Sequence, residues 1–357
     1  MKHFPAGFMA LLPAPVSALI LMICLGFFSG CYTLKQGTTM LGYLSRAVPL
    51  ENLEGEENIE FARTVAGIRR FAMEDLGLKE SKNYTRYVEL DRDYLAAVVS
   101  ASAKDSFTTH EWQFPVVGKV PYKGFFNIED ARKEREKLLK KDLDVWIRSV
   151  DAFSTLGWFK DPLYSYMKNY TRRELADLII HELFHATVFI KNQVQFNEEL
   201  AEFVGSEGSR LYIEKTFGHE AAREEDRRGA DLSADRDTFL KALMELKASL
   251  EAVYKDGALA REEKLLRKAE IISGFQTRFA GNYDSLYKTE NYRGFSGLPI
   301  NNAYLELYNL YYGEGDYFKE LYEKSGRNLK AFIEAAKSIK GKTEDPRSRL
   351  ERALGLH

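Results

Sequence analysis

Residues 171–202, TRRELADLIIHELFHATVFIKNQVQFNEELAE, decide how the rest of the chain is read. Thr171 followed three residues later by Glu174 is a capping box, and Leu175, Leu178 and Ile179 open an apolar face, so a helix starts here. His181-Glu182-Leu183-Phe184-His185 lies inside it. Positions i and i+4 stand one turn apart on one helix face, so both imidazoles can reach a single metal ion without deforming the backbone. Glu182 is offset from His181 by about 100°. Its carboxylate can therefore stand beside the ion without ligating it, where it takes a proton from an attacking water and later delivers it to a leaving amine. A short connection at about residues 191–196 turns the chain back, and a second helix begins near Asn197 with Glu198, Glu199 and Glu202. One of these acids is brought opposite the last turns of the first helix. Two imidazoles and one carboxylate leave a tetrahedral Zn²⁺ with one open position, the catalytic form of such sites rather than the structural one. The competing reading, two unrelated surface histidines, is weakened by arithmetic: with six histidines the pattern arises by chance in roughly one such chain per hundred.

Upstream of the motif the chain alternates. The spacing of Ile59, Phe61, Val65, Ile68, Phe71 and Met73 predicts an amphipathic helix within residues 51–78, ended by Gly77. Residues 84–90 and 94–100 read as strands, and residues 113–126 as two strands joined around Gly118-Lys119, with Pro115 and Pro121 confined to edges or ends. Residues 127–142 form a mixed-charge helix whose charges make a solvated face, and residues 144–150 another strand. Downstream the chain is helical. Phe239, Leu243, Leu246, Leu250 and Val253 repeat at four and three, Lys255-Asp256-Gly257 breaks the run, and a charged helix continues to about Ile272. Residues 232–272 are expected to form a surface helical hairpin, and residues 298–357 closing helices.

With 45% hydrophobic and 29% charged residues in 357, the composition is that of a folded body and excludes a disordered tail or a multispanning membrane protein. Lys and Arg number 51 against 53 Asp and Glu, a net charge of −2, so no positive field exists to gather nucleic acid, and no nucleic-acid partner is expected. The cysteines, Cys24 and Cys31, both lie near the N-terminus, which rules out a disulfide framework or a Cys-ligated metal beyond Cys31.

The N-terminus reads as an address. Lys2 and His3 precede a stretch without charged residues up to Lys35, and VSALILMICLGFF at residues 16–28 is an apolar export core. Phe28-Ser29-Gly30-Cys31 resembles a bacterial lipobox, with Phe28 where that motif usually carries leucine. The resemblance implies removal of residues 1–30, lipidation of Cys31 and a body held at the cell envelope by acyl chains. An uncleaved anchor over about residues 10–30 would have to contain Pro13 and Pro15.

His181-Glu182-Leu183-Phe184-His185 followed by Phe196-Asn197-Glu198 resembles the gluzincin metallopeptidases, in which the glutamate of a downstream Asn-Glu pair is the third zinc ligand. The resemblance assigns His181, His185 and Glu198 to one Zn²⁺ and Glu182 to the base, with Glu202 one turn further on as the reserve ligand. The spacer of twelve residues between His185 and Glu198 is shorter than in thermolysin-like enzymes. A broader similarity is to a bacterial family of lipoproteins named as aminopeptidases. It rests on the lipobox cysteine, FSTLGWF at residues 153–159, the His-Glu-x-x-His helix, Phe196-Asn197-Glu198 and LPINNA at residues 298–303, in that order. That name derives largely from the zinc motif itself. The resemblance implies an α+β, zincin-like fold with a small mixed sheet packed on the motif helix and a largely helical C-terminal half. It also implies a peptide substrate, and offers Tyr311 as donor to the oxyanion. The strand at 144–150 with residues 152–159 is either a substrate-pairing edge or, through Trp158 and Phe159, packing beneath the helix. The Gly-x-Met-Glu-Asn signature of one aminopeptidase family is missing from the sequence, which leaves Glu199 or Glu202 to hold a substrate ammonium. His110 and His219 have no partner at ligand spacing and read as surface residues. Two rivals remain: a zinc-binding surface scaffold without turnover, and a periplasmic assembly factor that docks through the hairpin.

Overall fold

The computed structural model describes residues 32, 35–114, 118–150, 161–191, 193–310, 317–340 and 345–356. Residues 1–31, 151–160 and 311–316 lie outside them, and with them the readings placed on Cys31, Trp158, Phe159 and Tyr311. Among the described residues no helix is long and apolar enough to cross a membrane.

The chain is α+β, with long helices and short strands. After α1 (residues 35–46) come β1 (Val48–Pro49), α2 (Glu56–Glu74), β2 (Arg86–Val88), β3 (Ala96–Ala103), β4 (Trp112–Phe114), β5 (Gly118–Val120), β6 (Tyr122–Phe125), α3 (Ile128–Leu139), β7 (Leu143–Val150) and β8 (Leu163–Tyr164). The helical part follows: α4 (Arg172–Thr187), α5 (Val194–Phe217), α6 (His219–Lys255), α7 (Arg261–Leu286), α8 (Asn302–Leu305), α9 (Tyr317–Lys324), α10 (Leu329–Ser338) and α11 (Pro346–Ala353).

Among the described residues the strands divide among three small sheets. β1, β2 and β8 form a mixed sheet, β2 antiparallel to β1 and parallel to β8. β3 is the centre of an antiparallel sheet between β6 and β7, and β4 pairs antiparallel with β5 in a separate two-stranded sheet, where Gly118 opens β5 with a φ of 77° that suits glycine. The mixed sheet, through Tyr87, Val88, Leu163 and Tyr164, shares one core with α4. The antiparallel sheet packs instead on α3 through Ala97, Val99, Ala131, Leu138 and Val145.

α4 begins at the expected capping box: Thr171 Oγ1 accepts from Glu174 N, and the Glu174 carboxylate accepts from Thr171 N. It buries Leu175, Ala176, Ile179, Ile180, Leu183, Phe184 and Thr187, a stripe broad enough to be gripped from two sides by α2 and α5. Each large member of that stripe contributes about 1.5–3 kcal/mol. α2 starts at Glu56, and its face is Phe61, Val65, Ile68 and Phe71, while Ile59 is exposed because it falls off that stripe.

The hairpin is longer than the sequence indicates at both ends, since α6 begins at His219 and α7 runs to Leu286. Charged residues hide these extensions, while burial follows Phe239, Leu243, Leu246 and Leu250 and then Tyr254 rather than Val253. One face of the hairpin is covered by Phe295, Ile300 and Tyr304, forming a second core. The LPINNA stretch is the bolt that joins this core to the sheet. Asn302 N donates to Asp144 Oδ2, Asn302 Nδ2 to the carbonyls of Ala103 and Ser106, and Tyr254 OH to Asn302 Oδ1. Lys268 pairs with the same buried Asp144.

Candidate active site

His181 and His185 occupy successive turns of α4, and Glu198 comes from the first turns of α5. The Nε2 atoms of the histidines are 3.0 Å apart, and Glu198 Oε2 lies 3.7 Å from His181 Nε2 and 3.5 Å from His185 Nε2. Ligand atoms about 2.05 Å from one tetrahedral zinc stand about 3.3 Å from each other. The three separations bracket that value, so two imidazoles and a carboxylate fit one such ion without rearrangement. Among the described residues this is the group of three metal-ligating side chains that converge on one point. His185 is enclosed and its Nδ1 has no hydrogen-bond partner among the described residues, whereas Glu198 is half exposed, so solvent reaches the triangle from the Glu198 side.

The electrostatics agree with this geometry. The imidazoles of His181 and then His185 beside it hold the Glu198 carboxyl far below the usual carboxylate range, against the opposing effect of burial. Burial disfavours the His181 imidazolium, but Glu198, Glu182 and Asp177 together outweigh it and raise the pKa of the ring. Asp177, one turn before His181, is pushed up to about 6 by burial, with His181 and Arg173 opposing.

Two features that the motif does not announce set the separation of the helices. Asn197 is buried, and its side chain closes the connection between α4 and α5: Ile190 N donates to Oδ1 at 2.9 Å and Nδ2 donates to Ile190 O at 2.8 Å. The residue before Glu198 is therefore a clip for the turn that brings Glu198 to the two histidines. On the next turns of α5, Gly205 and Gly208 face α4. A Cβ at Gly205 would meet Asp177 and His181, and one at Gly208 would meet Ile180 and Leu76. The Gly-x-x-Gly spacing was the available signal in the sequence.

The remaining expected residues sort as follows. Glu182 lies between the two histidines on α4, partly exposed. Glu202, the reserve ligand, is exposed on α5 and stands outside the converging triangle. Glu199 is engaged by neighbouring side chains: Oε1 accepts from Gln195 and Oε2 pairs with Arg347 of α11 at 3.1 Å. His219 is exposed and bonds Glu214, and His110 packs on Trp112, both away from the triangle.

Residues 31–350 match the family described as "Putative aminopeptidase". The chain belongs to this family. The match spans both cores, and with them the hairpin, the Asn302 junction and the His-Glu-x-x-His helix of this chain. Neither the curated proteins nor the solved structures gave a match.

Proposed function

We propose that this member of the aminopeptidase family is a zinc-dependent peptidase, exported and anchored at the cell envelope through lipid on Cys31. The observation that carries the catalytic part is the convergence of His181, His185 and Glu198 at 3.0–3.7 Å with Glu182 on the same helix. A zinc ion held by these three would supply Lewis acidity to the attacked carbonyl and ease deprotonation of the attacking water. Glu182 receives that proton and returns it to the amine as the carbon–nitrogen bond breaks. His181 and His185 act as neutral ligands, and Asn197 and Gly205 keep Glu198 at its distance from them. The open side of the triangle accommodates the peptide. Trimming from the amino end requires an acid for the substrate ammonium, and Glu202 is the uncommitted carboxylate nearest in sequence to the ligand.

The decisive experiment compares Glu182→Gln with His185→Ala in purified protein. Glu182→Gln is expected to keep one zinc per chain and lose hydrolysis by about 10²–10⁴-fold, the usual contribution of a general base. His185→Ala should lose both. Full activity in Glu182→Gln would refute the assignment, and a scaffold without turnover would be indifferent to it. Cleavage of one peptide with a free and with an acetylated N-terminus separates the exopeptidase from the endopeptidase.

A further inference from the structure

The charges of α3 and the turn that ends it are sorted by side. Asp130 and Glu134 turn toward the body, where Asp130 pairs with Lys35 at 2.5 Å and Glu134 with Lys123 at 3.4 Å. Outward lie Arg132, Lys133, Arg135, Lys137, Lys140 and Lys141, all exposed, against the exposed acids Glu129, Glu136 and Asp142. Lys133 and Lys137 follow Asp130 and Glu134 at three residues, and Lys140 and Lys141 follow Lys137 at three and four, so these four lysines make one ridge beside the inward acids. That ridge carries one sign.

The partners of the inward acids lead to the N-terminal end of the body. Tyr32 packs on the core that α3 shares with the antiparallel sheet. Its ring centroid lies 5.4 Å from that of Phe125 and 6.0 Å from that of Phe114, Lys123 Nζ stands 4.5 Å from it, and its hydroxyl donates to Gly124 O. The seam continues along α1: Gln36 Oε1 accepts from Phe126 N at 2.9 Å, and Tyr43 packs edge-on against Phe126. Tyr32 is thus a fixed part of the body. Cys31 precedes it directly, and neighbouring α-carbons stand about 3.8 Å apart. A flexible linker of ten residues would give a slack of about 16–19 Å. None intervenes here. Acyl chains on Cys31 end in the bilayer, so they would draw the surface around Tyr32, and the lysine ridge beside it, down to the headgroups.

We propose that the anchored protein rests on the bilayer by this surface, with Lys133, Lys137, Lys140 and Lys141 against anionic lipid headgroups, and so holds one orientation instead of hanging from a slack tether. The inference rests on the lipid-anchor reading above and deepens it by naming the surface that meets the membrane. A net charge of −2 supplies no attraction from a distance. The anchor delivers the surface, and the lysines need to act only within the screening length of about 10 Å.

The test uses the acylated mature chain in vesicles of phosphatidylglycerol and phosphatidylcholine. With residues 1–30 removed and Cys31 acylated, an introduced cysteine is the one free thiol. Lys133→Cys and, on α9, which packs on α5, Lys324→Cys each receive a fluorophore, and a quencher is carried on the lipid headgroups. Quenching at position 133 is expected to exceed that at position 324 several-fold. The excess should shrink when Lys137→Glu, Lys140→Glu and Lys141→Glu are combined, and also in 1 M salt, where the screening length is about 3 Å. It should vanish in 1 M salt once ten glycine and serine residues are inserted between Cys31 and Tyr32. The substituted lysines are exposed, so melting temperatures should match the unsubstituted protein. Equal quenching at the two positions with Cys31 acylated would overturn the proposal and leave the anchor reading intact. An excess untouched by charge reversal and by salt would overturn the role of the lysines. Mass spectrometry of the N-terminal peptide separates these outcomes from failure of the anchor itself: an unacylated Cys31 removes both readings.

Discussion

Gly205→Ala tests whether the close approach of α4 and α5 sets the metal triangle. The added methyl would lie 2.3 Å from Asp177 Oδ1, 3.0 Å from the Asp177 backbone oxygen and 3.1 Å from His181 Cβ. The carboxylate can rotate away; the backbone oxygen and the His181 Cβ cannot. Ordinary contact begins at 3.4 Å, so the two helices must part by about 0.4 Å. Overpacking of this kind costs about 1–3 kcal/mol. Alanine recovers about 1 kcal/mol of helix propensity, which leaves a net loss of up to about 2 kcal/mol. The parting also carries Glu198 away from His181 and His185, and zinc affinity should drop about tenfold, equivalent to about 1.4 kcal/mol. Gly281→Ala is the control: Gly281 lies in α7 with nothing within 4 Å of an added Cβ, so the same exchange should stabilise by up to about 1 kcal/mol and leave zinc binding alone. Denaturant unfolding of the chelated proteins and calorimetric zinc titration read both quantities. If Gly205→Ala proved as stable as Gly281→Ala and bound zinc as tightly as the unsubstituted chain, contact at Gly205 does not govern the ligand spacing.

Asn197→Ala should cost about 2–4 kcal/mol in denaturant unfolding and weaken zinc, because it leaves the buried N–H and C=O of Ile190 without partners; a loss below 1 kcal/mol would mean that water replaces the clip. Lys268→Ala strands Asp144 at the junction of sheet and hairpin, and a loss of about 3–5 kcal/mol is expected, with Lys268→Met less harmful if packing rather than charge matters there. Acidification should weaken zinc binding from above the ordinary histidine value of 6.5, because the raised pKa of His181 keeps its proton in competition with the metal. Titrations in buffers of different ionisation enthalpy would register the released proton. In the chelated protein the sign reverses: a raised histidine pKa stabilises the fold fully below 6.5 and that contribution is lost as pH rises through the folded value. The melting temperature without zinc should therefore decline from about pH 6 to about pH 8, and a rise would contradict the charge arrangement around His181.

The alignment of His181 with His185 was legible early because a helix enforces its own geometry. Once Thr171 and Glu174 fix the start, the 3.6-residue period alone aligns His181 with His185 and sets Glu182 aside. Local rules also suffice for the break of the hairpin at Asp256 and for the cap of α3 by Asn127. They do not reach across the chain. That Glu198, and not Glu199 or Glu202, stands beside the two imidazoles depends on how α5 is rotated and how closely it lies on α4, to which Asn197, Gly205 and the Glu199–Arg347 pair contribute through contacts with distant segments. The division of the strands into three sheets follows from their shortness: two- and three-residue strands carry too little alternation to declare a partner. Tyr84 reads as an ordinary strand residue until the turn held by Arg69 and Asp161 forces its backbone over. Periodicity is a property of one element, and the sequence determined what lay within one; separation between elements is a property of packing, and only the folded chain decided it.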